Sequence, residues 1–84
     1  MSQVTFASLQ QILLGLGFTM TKVPGSRIWF EHAASRTRIL LPPFADDEPV
    51  DPGNLAGVRR LLDERGLTDR ERFDELLRER SLVG

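Results

Sequence analysis

The chain has 84 residues, of which 40% are hydrophobic and 27% are charged; this is typical of one small folded domain and too apolar for a disordered segment. It contains no cysteine and one histidine, which excludes disulfides, thiol catalysis and cysteine- or histidine-rich metal sites, and we expect no cofactor. Because it has neither a basic and apolar leader nor an apolar run of about 20 residues, we expect a cytoplasmic protein without membrane contact.

Charge is unevenly distributed along the chain. The net charge is -1 and the pI is about 5.7, which argues against a strong general attraction to nucleic acid. Residues 1–45 carry four basic and one acidic side chain, whereas residues 46–84 carry seven basic and eleven acidic ones. The excess of basic residues in the first half can indicate a basic binding surface there, although such asymmetry also arises by chance in a small protein.

The first half of the chain predicts a helix followed by three strands. Thr5 is a suitable N-cap for a helix over residues 5–16, and Gly17 a suitable end for it. Alternating apolar and polar residues predict strands over residues 18–23, 27–32 and 37–41. Residues 33–36 form a short connection, and turn chemistry separates the first two strands at Pro24, Gly25 and Ser26. These elements predict an antiparallel meander.

The second half predicts a loop and two helices. Pro42 and Pro43 end the third strand, and the acidic residues that follow, through Val50, predict a solvated loop without a site. Asp51 is a suitable N-cap for a helix over residues 52–65, ending at Gly66. Thr68 and Glu71 match a capping box for a last helix over residues 69–80. Charges at i,i+4 spacing predict exposed ion pairs: Arg59 with Asp63, Arg60 with Glu64, and Arg70 with Asp74. The fold class is therefore α+β, as one domain over residues 1–84.

Several signals between Phe6 and Phe73 resemble the HicA toxin family. They are the helix end Leu16-Gly17-Phe18, the Gly25-Ser26 turn with an aromatic at Phe30, the strand end Leu41-Pro42, the helix start Pro52-Gly53-Asn54-Leu55, and Arg65-Gly66-Leu67. The resemblance implies an α-β-β-β-α fold of the double-stranded-RNA-binding-domain-like class, here with an additional C-terminal helix. It also implies a ribosome-independent mRNA interferase, inhibited by a HicB antitoxin that covers its active surface.

The chain departs from that family at the catalytic position. In HicA toxins a histidine follows the Gly-Ser pair, and Arg27 stands there in this chain. Metal-independent RNA cleavage needs a base for the 2′-hydroxyl proton, and arginine stays protonated, whereas it can hold a phosphate or stabilise a transition-state anion. HicA toxins are also usually basic. Arg27 thus favours binding over cleavage, and a solvated strand-start arginine is the alternative.

His32 is the remaining residue that could act as a near-neutral base in an active endoribonuclease. It follows Arg27 by five positions, so on a regular strand the two side chains point to opposite faces. The alternative is a strand-end histidine with an ordinary hydrogen bond.

The outer face of the predicted sheet is the candidate binding surface. If Ile28 and Phe30 point inward, then Arg27, Trp29 and Glu31 point outward, and a tryptophan beside an arginine suits base stacking or a protein interface. The candidate residues for RNA or partner binding are Lys22, Ser26, Arg27, Trp29, Arg36 and Arg38. Alternatively, the last helix or the proline-rich loop covers Trp29, and the arginines are merely solvated. The sequence thus leaves three hypotheses: a HicA-like component that binds RNA or a HicB-like antitoxin, a non-catalytic protein interaction module, and an active enzyme using His32.

Overall fold

The computed structural model describes residues 4–22 and 27–83, the last four of these by their backbone alone. Helix α1 (Phe6–Gly15) precedes a three-stranded antiparallel sheet in the order β1-β2-β3, and two helices follow. The remaining elements are β1 (Thr19–Lys22), β2 (Ile28–His32), a 3₁₀ turn (Ala33–Ser35), β3 (Thr37–Leu41), α2 (Pro52–Glu64) and α3 (Arg70–Val83). The predicted α+β order is confirmed. The predicted turn at residues 24–26 and strand residue Val23 lie outside the described residues.

Local hydrogen bonds mark the start of α1 and the C-terminal ends of α1 and α2. The side chain of Thr5 accepts a hydrogen bond from the Ser8 backbone N–H and so caps the start of α1, as predicted.

At the C-terminal end of α1, the N–H groups of Gly17 and Phe18 donate to the carbonyls of Leu14 and Leu13, respectively, which is the Schellman pattern. Gly66 and Leu67 repeat that pattern after α2, donating to Asp63 and Leu62. Both glycines have positive φ, +100° at Gly17 and +71° at Gly66, which explains glycine at both positions.

The core lies between the inner face of the sheet and the three helices. Inward residues of the strands alternate with exposed ones, most regularly in β3, where Thr37, Ile39 and Leu41 are buried and Arg38 and Leu40 are exposed. Apolar side chains from all three helices pack against this inner face of the sheet. The fully or almost fully buried residues of this core include Phe6, Leu9, Leu13, Ile28, Phe30, Leu62 and Phe73.

The segment between β3 and α2 is a packed loop, so the prediction of a solvated loop was wrong in this respect. Phe44 and Val50 are 8% and 5% exposed and belong to the core. The loop carbonyls of Asp46 and Glu48 accept the N–H groups of Ala7 and Phe6 at 2.9 Å each. The loop therefore satisfies donors in the first turn of α1 that have no partner inside the helix.

Two predictions about α2 and α3 need correction. The side chain of Asp69, and not that of Thr68, accepts a hydrogen bond from the Arg72 backbone N–H, at 2.7 Å, so the cap of α3 lies one residue later than predicted.

The predicted ion pairs are also corrected in part. Arg60 pairs with Glu64 as expected, but Arg59 pairs with Asp74 and Arg70 with Asp63. These two ion pairs join α2 and the start of α3, because the antiparallel packing of two helices brings the charges closer than their own i,i+4 neighbours.

Candidate functional site: the outer sheet face

The strand register determines which residues share the surface turned away from the helices. Thr19, Glu31 and Arg38 lie side by side in one row, and Thr21, Trp29 and Leu40 lie in the next. We call these six residues the outer sheet face. Trp29 and Glu31 are half-buried and the other four are exposed. The face thus combines one large aromatic ring, one ion pair and one half-exposed leucine in a small area.

Arg38 organises the centre of this face. Its guanidinium carbon lies 5.6 Å from the centroid of the Trp29 ring, and its Nη2 lies 3.4 Å from Glu31 Oε1. Both charged side chains are about half exposed to solvent, so we expect the ion pair to contribute little to folding. Its effect is positional: it holds an arginine against the ring, and the charge of the arginine is partly balanced by Glu31.

Among the described residues, the outer sheet face is largely open, because four of its six members are exposed and Trp29 is half-buried. The proline-rich loop bonds to the start of α1, and the main described contacts of α3 are with α1 and α2. Leu40, beside Trp29, is 49% exposed and is one of two large exposed hydrophobic residues in the described part of the chain. Sequence reasoning missed Leu40, although it lies two residues after Arg38, a candidate for the outer face, and period-2 alternation puts both residues on the same face.

The predicted basic residues do not all join this face. Arg27 is exposed and lies two residues before Trp29, which extends the row of β2 outward residues. Lys22 is in register with the buried Ile28, so strand alternation assigns it to the opposite face. Arg36 has a left-handed backbone, with φ of 54°, and precedes β3 at the end of the sheet farthest from Arg27. Ser26 lies outside the described residues.

His32 has a structural role at the end of β2. Its Nδ1 accepts the Ser35 backbone N–H at 3.3 Å and lies 2.8 Å from Ser35 Oγ, which is 2.7 Å from the hydroxyl of the buried Thr37. The ring packs on Phe18, with 5.2 Å between centroids. As predicted from the odd spacing, His32 belongs to the face opposite to Trp29, so the structure does not bring it together with Arg27 on one surface.

Within residues 4–22 and 27–83, no group of three or more His, Cys, Asp or Glu side chains is arranged to hold a metal ion. None of the described helices is both long and apolar enough to cross a bilayer. The arrangement on the outer sheet face suits binding, because it offers a ring, an apolar side chain and an arginine rather than a paired acid and base.

Comparison with protein-family models, curated proteins and solved structures found no match for this chain. The order of one helix, three antiparallel strands and a further helix agrees with the order that the HicA resemblance implies, and α3 follows it. Membership of the double-stranded-RNA-binding-domain-like class stays a prediction.

Proposed function

We propose that this chain is a HicA-like toxin-antitoxin component with a double-stranded-RNA-binding-domain-like fold, and that its outer sheet face binds a HicB-like antitoxin. The observation that carries the proposal is the open cluster of Trp29, Arg38 and the half-exposed Leu40. Tryptophan and arginine are enriched among the residues that dominate protein interfaces, and a neighbouring apolar side chain adds area that a partner removes from water.

Protein is favoured over RNA as the ligand of this face. The guanidinium of Arg38 lies against the Trp29 ring and is paired with Glu31, so one face of the ring is covered and the one positive charge at the centre is partly balanced. Arg27 and Arg36 flank opposite ends of the sheet, and the whole chain is slightly acidic. RNA binding gains most from several phosphate contacts made together, and a single arginine at the centre of the face offers few of them.

We also propose that the chain does not cleave RNA by the mechanism of the family. Arg27 cannot accept the 2′-hydroxyl proton, and His32 lies toward the other face with its Nδ1 occupied by Ser35. What remains of a toxin in this proposal is its antitoxin-binding surface. A non-catalytic interaction module with an unrelated partner would use the same face.

Binding to a HicB-like protein, sought among the products of the neighbouring genes, tests the proposal with two matched leucine variants. Leu40 and Leu14 are similarly exposed, at 49% and 43%, but Leu14 lies on α1 and away from the sheet. We expect Trp29→Ala to weaken binding by about 30-fold or more and Leu40→Ala by a smaller factor, whereas Leu14→Ala leaves the affinity unchanged. Isothermal titration calorimetry provides the affinities, and circular dichroism confirms that each variant is folded.

Other results would contradict the proposal. Equal losses for Leu40→Ala and Leu14→Ala would place the interface elsewhere, and the absence of a HicB-like neighbour that binds would favour the unrelated interaction module. Salt-sensitive binding of an RNA oligonucleotide that Arg27→Ala abolishes would favour RNA as the ligand. Growth arrest on inducing the native protein alone, relieved by Arg27→Ala, would show that toxicity survives with arginine in place of histidine.

A further inference from the structure

The free edge of β3 borders a cleft formed with α2. In the strand order β1-β2-β3, β3 pairs with β2 alone, and none of the described backbone hydrogen bonds outside the sheet involves its residues. One row of its N–H and C=O groups is therefore available to another strand. Beside this edge lies a cleft of about 180 Å³, whose lining includes Ile39, Leu41, Val58 and Leu61.

Two glycines keep this cleft open. Gly53 and Gly57 line it from α2, four residues apart and so on one side of the helix. A Cβ added at Gly57 would meet no atom within 4 Å, so the fold itself does not require glycine there. A glycine inside a helix costs about 1 kcal/mol relative to alanine, and here this cost leaves space beside the edge of β3.

From these observations we infer that β3 pairs with an extended, acidic segment of another protein, which adds a fourth strand to the sheet. The free backbone supplies the hydrogen bonds, and alternate side chains of the added strand point into the cleft and onto the outer sheet face. The residue of the added strand that lies opposite Ile39 points into the cleft. The residues before and after it in the added strand lie on the outer face, beside Arg38 and Leu40. The matching segment has a small apolar residue at the cleft position, with an acidic residue on one side and an apolar one on the other.

Charge favours this occupant over a second copy of the chain. Arg36 comes directly before β3 and Arg38 is its second residue, both side chains are exposed, and Glu31 is the one acidic residue paired with either of them among the described ion pairs. Antiparallel pairing of β3 with β3 of a second copy, centred on Arg38 or Ile39, would bring the two Arg38 side chains opposite or diagonal to each other on one face, where like charges destabilise a sheet. An acidic strand replaces that repulsion with attraction. The inference requires no particular function of Trp29.

Blocked synthetic peptides test the inference on the full chain. The probes carry Leu-Val-Glu or Glu-Val-Leu within flanking threonines, so that both strand directions are sampled. One control peptide has proline in place of both valine and leucine, which removes a backbone donor facing β3 whichever of the two residues is hydrogen-bonded, and another has lysine in place of glutamate. We expect one acidic peptide to shift the backbone NMR signals of residues 38–41 and 53–57, and we expect both control peptides to bind at least about tenfold more weakly.

Protein variants provide the matched control. Gly57→Leu fills the cleft, and Gly15→Leu places the same side chain at an exposed helical glycine on α1, where an added Cβ also meets nothing within 4 Å. We expect Gly57→Leu to weaken the peptide by about tenfold or more and Gly15→Leu to leave its affinity unchanged. Arg38→Glu should reverse the preference in favour of the lysine peptide.

Four results would overturn the inference: no shift with any acidic peptide, shifts confined to β1, equal binding of the proline peptide, or unchanged binding by Gly57→Leu. Concentration-dependent shifts of the same signals without peptide would instead assign the edge to a second copy. The Trp29→Ala variant separates this inference from the proposed function, because it removes an outer-face contact and leaves the edge of β3 and the cleft in place.

Discussion

Gly17 joins two constraints at one residue. Its φ of +100° is a conformation that side chains with a Cβ rarely adopt, and an added Cβ would lie 3.3 Å from His32 Nε2. Gly66 meets only the first constraint, because its φ is +71° and nothing lies within 4 Å of its added Cβ. The pair therefore compares a crowded glycine of larger φ with an open glycine whose φ lies nearer the left-handed helical region.

We predict that Gly17→Ala lowers the free energy of unfolding by about 2 to 3 kcal/mol and Gly66→Ala by about 1 kcal/mol. Urea denaturation followed by circular dichroism measures both. If the two losses are equal, neither the larger φ of Gly17 nor its contact with His32 adds to the cost of the methyl group.

At the scale of elements, the loop between β3 and α2 acts as a cap for α1. Phe44 packs with Phe6, with 5.9 Å between ring centroids, and the carbonyls of Asp46 and Glu48 accept N–H groups of the first turn. We predict that Phe44→Ala costs about 3 kcal/mol and speeds hydrogen exchange at Phe6 and Ala7, whereas Pro43→Ala, at an exposed neighbour, costs at most about 1 kcal/mol and affects that exchange far less. Slow exchange at Phe6 and Ala7 in Phe44→Ala would mean that the loop holds its position without the aromatic anchor.

The sequence predicted elements well where the signal is local. Thr5, Asp51, Gly17 and Gly66 mark helix ends through bonds to residues within a few positions, and all four predictions are confirmed. Phe44 was missed because a lone aromatic between prolines has no periodicity, so its burial depends on where α1 lies. The pair of Arg59 and Asp74 was missed for the same reason. Spacing within one helix indicates only its own i,i+4 partners, and the pair between helices depends on how α2 and α3 pack.

The outer sheet face was predictable in part, where alternation along one strand was sufficient. Period-2 alternation placed Trp29 outward, and strand register then determined that Arg38 and Leu40 are its neighbours. Register depends on the turn lengths and on the core, which the pattern of one strand does not contain. Lys22 was grouped with Trp29 by charge alone, and alternation places it on the other side.

At the scale of the whole molecule, α3 is part of the single core. Phe73 is fully buried, and Arg59 binds Asp74 through two hydrogen bonds of 3.1 and 3.0 Å between α2 and α3. A domain of this size has few large side chains with which to exclude water, so each one carries a large share of its stability. The helix that follows the α-β-β-β-α order is therefore expected to fold and unfold together with the sheet.

Phe73→Ala tests that cooperativity, because Trp29 is the only tryptophan and reports on the sheet. We predict a loss of about 4 kcal/mol, with tryptophan fluorescence and helical circular dichroism changing at the same urea concentration, since the cavity weakens one shared core. Arg78→Ala, at an exposed position of the same helix, should leave the midpoint unchanged. Loss of helical signal before any change in Trp29 emission would show that α3 detaches first. In that case the remaining core, with Phe6 and Phe30 in edge-to-face contact, would be sufficient to hold the sheet on α1.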